Sequence, residues 1–89
     1  MKHYVYLLAS FHNNKLLTYA GYTNNIKKRI KLHNSSKGAK FTRGRKWKII
    51  YKKGYNNKSE AMKNEYLLKI NRMKRNKLKD KFKIKYKLI

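Results

Sequence analysis

Residues 19–34 read YAGYTNNIKKRIKLHN and predict a short strand that runs through a glycine into a basic helix. Ile26 and Ile30 recur at the helical period, while lysines fall towards the other side of the helix. Arg29 and His33 are four residues apart and share their flank with the two isoleucines. We therefore expect a guanidinium and an imidazole at the border of a packed face, an arrangement suited to holding a phosphate.

The composition is strongly basic. The 89-residue chain carries 26 Lys and Arg against three Asp and Glu, a formal net charge of +23. One small domain of this charge repels itself, which favours a polyanionic partner, and nucleic acid is the expected one. We find no long apolar run and no signal-peptide layout, so we expect an intracellular protein, cytoplasmic or nucleoid-associated, without membrane contact. The absence of cysteine excludes disulfides, thiolate zinc sites and cysteine nucleophiles from this chain.

Three runs of β-branched and aromatic residues predict a small antiparallel sheet. They lie at residues 4–8, 16–20 and 47–53. Asn13 and Asn14 tolerate positive φ and are expected to form the turn between the first two strands. Gly21 is expected to end the second strand. Ile50 interrupts an otherwise regular alternation in the third strand.

Helix signals follow the second and the third strand. The first helix is expected over residues 24–34, with Thr23 or Asn24 as its N-cap. A capping-box pattern at residues 57–60 opens a second helix, expected to run to about Met73.

A basic stretch and an alternating tail complete the chain. Residues 74–80 are expected to form a shorter basic helix or a loop. Residues 82–88 alternate apolar side chains with lysines and predict an extra C-terminal edge strand. The predicted fold class is thus α/β, a three-stranded antiparallel sheet flanked by helices.

Residues spread through most of the chain resemble the GIY-YIG nuclease domain. They comprise Tyr4-Val5-Tyr6, Tyr19-Ala20-Gly21 thirteen residues on, Thr23, Asn24, Arg29, His33 and Glu65. Tyr4 replaces the first glycine of the family name and Ala20 its second isoleucine. The loop after the first helix and Trp47 also resemble small stand-alone bacterial members and the Slx-type structure-specific endonucleases. The resemblance implies a nuclease-like domain over residues 1–76, with a basic tail or added strand over 77–89.

The resemblance implies a metal-dependent endonuclease that hydrolyses phosphodiester bonds in DNA. Branched, flapped or single-stranded DNA would be its candidate substrates, and RNA is an open alternative. The implied catalytic residues are Tyr6, Tyr19, Arg29, His33 and Glu65.

Each of these residues has a chemical role to fill. Glu65 would be the single protein ligand of a Mg²⁺ ion that keeps most of its waters, with Mn²⁺ as a substitute. Arg29 would clamp phosphate oxygens in the transition state. Tyr6, with Tyr19 as the alternative, would take the proton of the attacking water, its pKa lowered from about 10 by the metal and nearby cations. His33 would orient that tyrosine or contact the phosphate.

Further residues are expected to contact the nucleic acid, chiefly in the glycine-containing basic loop after the first helix. They are Lys28, Lys37, Lys40, Thr42, Arg43, Arg45 and Lys69. Lys69 lies one helical turn after Glu65, so it could also neutralise that carboxylate when metal is absent.

Competing interpretations follow from the same residues. Tyrosines in strands commonly serve packing, and a helical glutamate among lysines is usually half of an ion pair. The chain could therefore be a non-catalytic RNA- or DNA-binding component of a ribonucleoprotein or repair complex that keeps the nuclease fold. A catalytic module whose specificity comes from a partner chain is a third hypothesis.

Overall fold

A computed structural model describes residues 2–12, 15–35 and 44–86, and these residues form three strands and three helices. In chain order the elements are β1 His3–His12, β2 Lys15–Thr23, α1 Ile26–Asn34, β3 Lys48–Tyr55, α2 Lys58–Ile70 and α3 Arg72–Tyr86. The strands form one antiparallel sheet in the order β2-β1-β3. The predicted α/β class with a three-stranded sheet is confirmed.

The pairing of β1 with β2 places a glycine opposite a tyrosine. The register runs from Tyr4 opposite Thr23 to His12 opposite Lys15, and Gly21 lies opposite Tyr6. Gly21 therefore lies inside β2, and the prediction that it ends the strand is wrong. The predicted turn at residues 13–14 lies outside the described residues.

The pairing of β1 with β3 contains a bulge. Leu7 lies opposite Tyr51 and Leu8 opposite Ile49, so Ile50 is the extra residue on β3. Ile49 packs on one face of the sheet, whereas Ile50 and Tyr51 both pack on the other. The bulge therefore explains why Ile50 interrupts the alternation in the sequence.

Helices cover both faces of the sheet, and β1 is the central strand. On one face α2 and α3 complete a core built from Val5, Leu7, Ala20, Ala61 and Leu68, with Leu78 packed against it. On the other face α1 packs Ile26 and Ile30 against Tyr6, Leu8 and Trp47. Because successive side chains of a strand point to opposite faces, this layout directs the Tyr6 side chain towards α1.

The helices begin and end at asparagines. The Asn25 side chain accepts the backbone N–H of Lys28 at 3.1 Å, so Asn25 is the N-cap of α1 and the prediction of Thr23 or Asn24 is wrong. Thr23 instead accepts the backbone N–H of Asn25 at 3.1 Å. Asn57 caps α2 as predicted, accepting the N–H of Glu60 at 2.8 Å.

The junction of α2 and α3 is also set by one asparagine. The Asn71 side chain accepts the backbone N–H of Lys74 at 3.0 Å, while its own N–H donates to Leu67 at 3.0 Å. Helix α2 consequently ends at Ile70, three residues before the predicted end.

The tail departs from the prediction in kind. Helix α3 continues to Tyr86, so an edge strand over residues 82–88 is wrong for 82–86, and the last three residues lie outside the described ranges. Lysine and leucine favour helices, no Gly or Pro interrupts the run, and extending an existing helix needs no new nucleus. These effects outweigh the alternation of apolar residues.

One side chain ties α1 to the start of β3. The Asn34 side chain accepts the backbone N–H of Trp47 at 2.6 Å and donates to the Trp47 carbonyl at 3.2 Å. Trp47 is buried beneath α1, so these bonds satisfy backbone groups that have little access to water. They hold the C-terminal end of α1, where His33 lies, against the sheet.

Asn34→Ala should lower the free energy of unfolding by about 1–3 kcal/mol, because it leaves buried backbone groups of Trp47 without partners. Urea unfolding followed by tryptophan fluorescence measures the loss. Asn64→Ala is the matched control, since Asn64 only donates to the Glu60 carbonyl on exposed α2 and should change stability by less than about 0.5 kcal/mol. Equal effects of the two changes would contradict the anchoring role of Asn34.

Candidate active site

Three side chains meet at the hydroxyl of Tyr6, which is 2% exposed. The Nε–H of Arg29 donates to the Tyr6 oxygen at 3.3 Å, and Nε2 of His33 lies 2.9 Å from the same oxygen. Both partners come from α1, one turn apart on the flank that packs on the sheet. The predicted Arg29 and His33 pair is thus brought together, and its shared contact is a tyrosine.

Tyr19 extends this cluster along β2. Its ring centroid is 5.2 Å from that of His33, and its hydroxyl hydrogen-bonds Arg29. The hydrogen bond to Tyr6 and the nearby phenols raise the pKa of Arg29, so its guanidinium keeps its charge. The cluster thus contains one permanent cation between two phenols.

Burial keeps His33 neutral. The residue is fully enclosed, at 0% exposure, and desolvation lowers its pKa, with a further contribution from the positive charge of Arg29. At neutral pH one ring nitrogen of His33 is therefore free to accept a proton. The proton on the Tyr6 hydroxyl lies within hydrogen-bond distance of such an acceptor.

Burial acts on Tyr6 in the opposite sense to the prediction. Desolvation raises the pKa of Tyr6 above 10.0; the hydrogen bond and charge of Arg29 offset only part of this effect, and the charges of Tyr19 and Glu65 add to it. In the protein alone the expectation of a lowered Tyr6 pKa is therefore wrong. The phenol is protonated at neutral pH, so it must lose its own proton before or while it accepts another.

Gly21 makes room for the Tyr6 ring. A Cβ added at Gly21 would lie 2.5 Å from Cζ of Tyr6 and would also overlap its hydroxyl oxygen. No side chain can occupy this position without displacing the phenol from Arg29 and His33. Sequence reasoning missed this role, although a glycine in the interior of a strand is a known signal of close approach.

Glu65 reaches the cluster from the helix on the other side of the sheet. Its side chain is 15% exposed on α2, and Oε2 lies 3.7 Å from Nζ of Lys69, whose side chain is 51% exposed. The predicted neutralisation of Glu65 by Lys69 is therefore present in the structure. Because the charge of Glu65 influences Tyr6, the carboxylate and the phenol belong to one electrostatic site.

A metal at this site would have few protein ligands. Within residues 2–12, 15–35 and 44–86, no three His, Asp or Glu side chains cluster closely enough to form a metal site. Glu65 offers a single carboxylate that is partly exposed and held by one lysine. That donor set fits a hard cation that retains most of its waters, as Mg²⁺ commonly does.

The predicted nucleic-acid contacts are only partly described. Lys28 is exposed on α1, Lys69 adjoins Glu65 and Arg45 is partly buried two residues before Trp47. The remaining predicted residues, Lys37, Lys40, Thr42 and Arg43, lie outside the described ranges.

Known proteins match this chain in sequence and in fold. A family model described as the GIY-YIG catalytic domain matches residues 2–85. The chain belongs to the GIY-YIG family. A UPF0213 protein of Oceanobacillus iheyensis is 46% identical over 69 residues, which cover 76% of this chain and 77% of the relative. A UPF0213 protein of Bacillus licheniformis is 52% identical over 68 residues, which cover 75% and 67%.

A solved structure shares the fold of this GIY-YIG domain. The solution NMR structure of a UPF0213 protein from Bacillus halodurans is 40% identical and has a TM-score of 0.50. The match covers 90% of this chain and 84% of the other. GIY-YIG domains are nuclease domains, so the family indicates nucleic acid as the substrate class. No helix of the described part of the chain has the length and apolar character needed to cross a membrane.

Gly21→Ala should destabilise the GIY-YIG domain by about 1–3 kcal/mol, because the new methyl group overlaps the Tyr6 ring in a packed core. Urea unfolding measures the change. Gly54→Ala is the matched control, since its Cβ would lie 3.1 Å from the flexible end of Lys2 and 3.3 Å from Cε1 of Tyr4, and its effect should be smaller. A Gly21→Ala variant as stable as the wild type would show that Tyr6 does not depend on the gap.

The lowered pKa of His33 makes stability depend on pH. Unfolding returns the imidazole to a pKa near 6.5, so below that pH the unfolded chain binds more protons than the folded chain. The free energy of unfolding should therefore fall from about pH 7 to pH 5, by at most about 1.4 kcal/mol per pH unit from this residue. Urea unfolding at each pH tests this, and His33→Gln should flatten the slope. Parallel curves for the two proteins would contradict the prediction.

Proposed function

We propose that the domain is a Mg²⁺-dependent endonuclease that hydrolyses phosphodiester bonds in DNA. The observation that carries this proposal is the meeting of Arg29 and His33 at the buried hydroxyl of Tyr6, at 3.3 and 2.9 Å. A phenol that serves only packing needs one hydrogen-bond partner, whereas this one lies between a cation and a neutral imidazole. Such surroundings suit a group that exchanges protons.

Tyr6 acts as the general base in this proposal, and His33 receives its proton. Because burial keeps the phenol protonated, Tyr6 takes a proton from water as its own proton passes to Nε2 of His33. The water oxygen bonds to phosphorus and the bond to the 3′ oxygen breaks. Tyr19 is the alternative base, but the bridge to His33 and Arg29 favours Tyr6.

Arg29 stabilises negative charge in two places. Its Nε–H already points at the Tyr6 oxygen, where charge develops as the proton leaves. A guanidinium has five N–H donors in a planar fork, so donors remain for the phosphate oxygens. The raised pKa of Arg29 keeps this cation in place at any physiological pH.

Glu65 holds the metal in this proposal. A Mg²⁺ ion bound there would polarise the phosphate and stabilise the departing 3′ oxygen. Glu65 is suited to this task because it is partly exposed and its charge already influences Tyr6. Mn²⁺, which also accepts oxygen ligands, is expected to substitute.

The net charge of +23 supports a second candidate, a non-catalytic component that binds RNA or DNA. Lysines on every side would serve a permanent complex, whereas a catalyst must release its product. Glu65 argues against this candidate, because a carboxylate within a phosphate-binding surface repels the ligand unless a metal intervenes. We therefore retain the endonuclease as the proposal, with branched, flapped or single-stranded DNA as the substrates to test first and a specificity-determining partner chain as a further option.

Cleavage of labelled single-stranded, flap, four-way-junction and duplex DNA and of a structured RNA, with Mg²⁺, Mn²⁺ or EDTA, tests the proposal. Tyr6→Phe should slow cutting about 10²–10⁴-fold by removing the base. Arg29→Ala should slow it about 10²–10³-fold by removing charge stabilisation. Glu65→Gln should abolish metal-dependent cutting while binding persists.

Matched controls come from the same two helices. Lys27→Ala removes an exposed cation beside Arg29, and Glu60→Gln removes an exposed carboxylate from the first turn of α2. Both should cut at nearly the wild-type rate. Tight, salt-sensitive binding with no cutting of any substrate would sink the endonuclease and support the binding component.

A further inference from the structure

A cleft beside the candidate active site is lined by two cations. It has a volume of about 300 Å³ and lies along the middle of β2, the free edge of the sheet, where α2 and α3 approach it. Its lining residues are Thr18, Tyr19, Ala20, Lys69 and Arg75. Tyr19 also hydrogen-bonds Arg29, so the cleft adjoins the catalytic cluster directly.

Arg75 has an unsatisfied donor at this cleft. Its Nε is buried and has no hydrogen-bond partner among the described residues. A guanidinium cannot deprotonate in a protein, so the N–H stays a donor, and buried donors are almost always paired. An acceptor supplied by a ligand in the cleft would complete its hydrogen bonding.

The protein offers Arg75 no anion of its own. The chain has only three acidic residues, all within the described ranges, and the ion pair seen there joins Glu65 to Lys69. Asp80 is exposed on α3, and Glu60 is exposed in the first turn of α2. An arginine directed into a cleft without a carboxylate partner is suited to an external anion.

Lys69 adds a second charge that depends on the state of Glu65. In the structure its Nζ lies 3.7 Å from Oε2 of Glu65. Once that carboxylate engages a metal ion, as the proposed function requires, the attraction between it and Lys69 weakens. The ammonium is then free to turn towards an anion in the cleft that it already lines.

We infer that Lys69 and Arg75 form a subsite for a backbone phosphate of the nucleic acid, next to the phosphate being cut. This inference rests on the proposed function and adds Arg75 to the residues that bind the substrate. The cleft shares Tyr19 with the catalytic cluster, so a strand whose phosphate lies near Arg29 passes the cleft with its neighbouring phosphate. Arg75 acts by binding and orienting the strand.

Arginine side-chain NMR tests the subsite without requiring cleavage. A short oligothymidylate is titrated into the ¹⁵N-labelled full chain in EDTA, and Arg75→Gln identifies the Arg75 Nε–H resonance by its loss. We expect this resonance to shift and to exchange more slowly with water as the oligonucleotide binds. A resonance that stays fixed while other signals move would overturn the subsite.

Affinity measurements supply the matched control. Arg75→Gln should weaken oligonucleotide binding about tenfold, as expected for the loss of a charge-assisted hydrogen bond. Arg72→Gln removes the same charge from an exposed position on the same helix and should weaken binding by less than about threefold. Equal losses would show a diffuse charge effect and overturn the subsite. Arg75→Gln should unfold at the same or a higher temperature, because it removes a buried unpaired donor.

Cleavage assays separate this inference from the proposed function. If the Arg75 resonance responds and the wild type cuts no substrate, the subsite stands and the endonuclease fails. If the wild type cuts with Mg²⁺ and Arg75→Gln cuts and binds like Arg72→Gln, the endonuclease stands and the subsite fails. Inorganic phosphate added alone should not move the Arg75 resonance at concentrations that leave oligonucleotide binding intact, since a shift there would indicate a free-anion site instead.

Discussion

The close approach of the Tyr6 ring to the backbone at Gly21 is the constraint on which the candidate site depends. It lets a tyrosine from the central strand lie across the edge strand, where its hydroxyl meets two residues of α1. A side chain at position 21 would occupy the same space. The position of the phenol, and with it the contacts of Arg29 and His33, therefore follows from one missing Cβ.

Burial gives the cluster a consistent electrostatic state. Desolvation raises the pKa of Tyr6 and lowers that of His33, so both are neutral near pH 7, while Arg29 stays charged. A neutral imidazole beside a neutral phenol and a fixed cation can pass a proton without creating an unpaired buried charge. The same enclosure that stabilises the fold thus prepares the site for proton transfer, and the two roles share the same side chains.

The excess of positive charge has a local as well as a global meaning. Most lysines are exposed and serve attraction to a polyanion, but a few cations occupy defined places. Arg29 lies between two phenols, Lys69 is paired with Glu65, and Arg75 lines a cleft with its Nε unpaired. With only three acids in the chain, buried or partly buried cations lack internal partners, and the phosphates of a nucleic acid are the natural complement.

Sequence alone determined the α/β class, the three strands, the packed flank of α1 and the candidate residues, because hydrophobic periods, asparagine caps and the spacing of the family residues are local signals. Tertiary packing decided what those signals do not contain. Gly21 lies inside its strand because β1 pairs along the full length of β2, and the tail is helical because it extends α3. The raised pKa of Tyr6 and the position of Arg75 depend on which groups are buried together, which only the assembled sheet and helices determine.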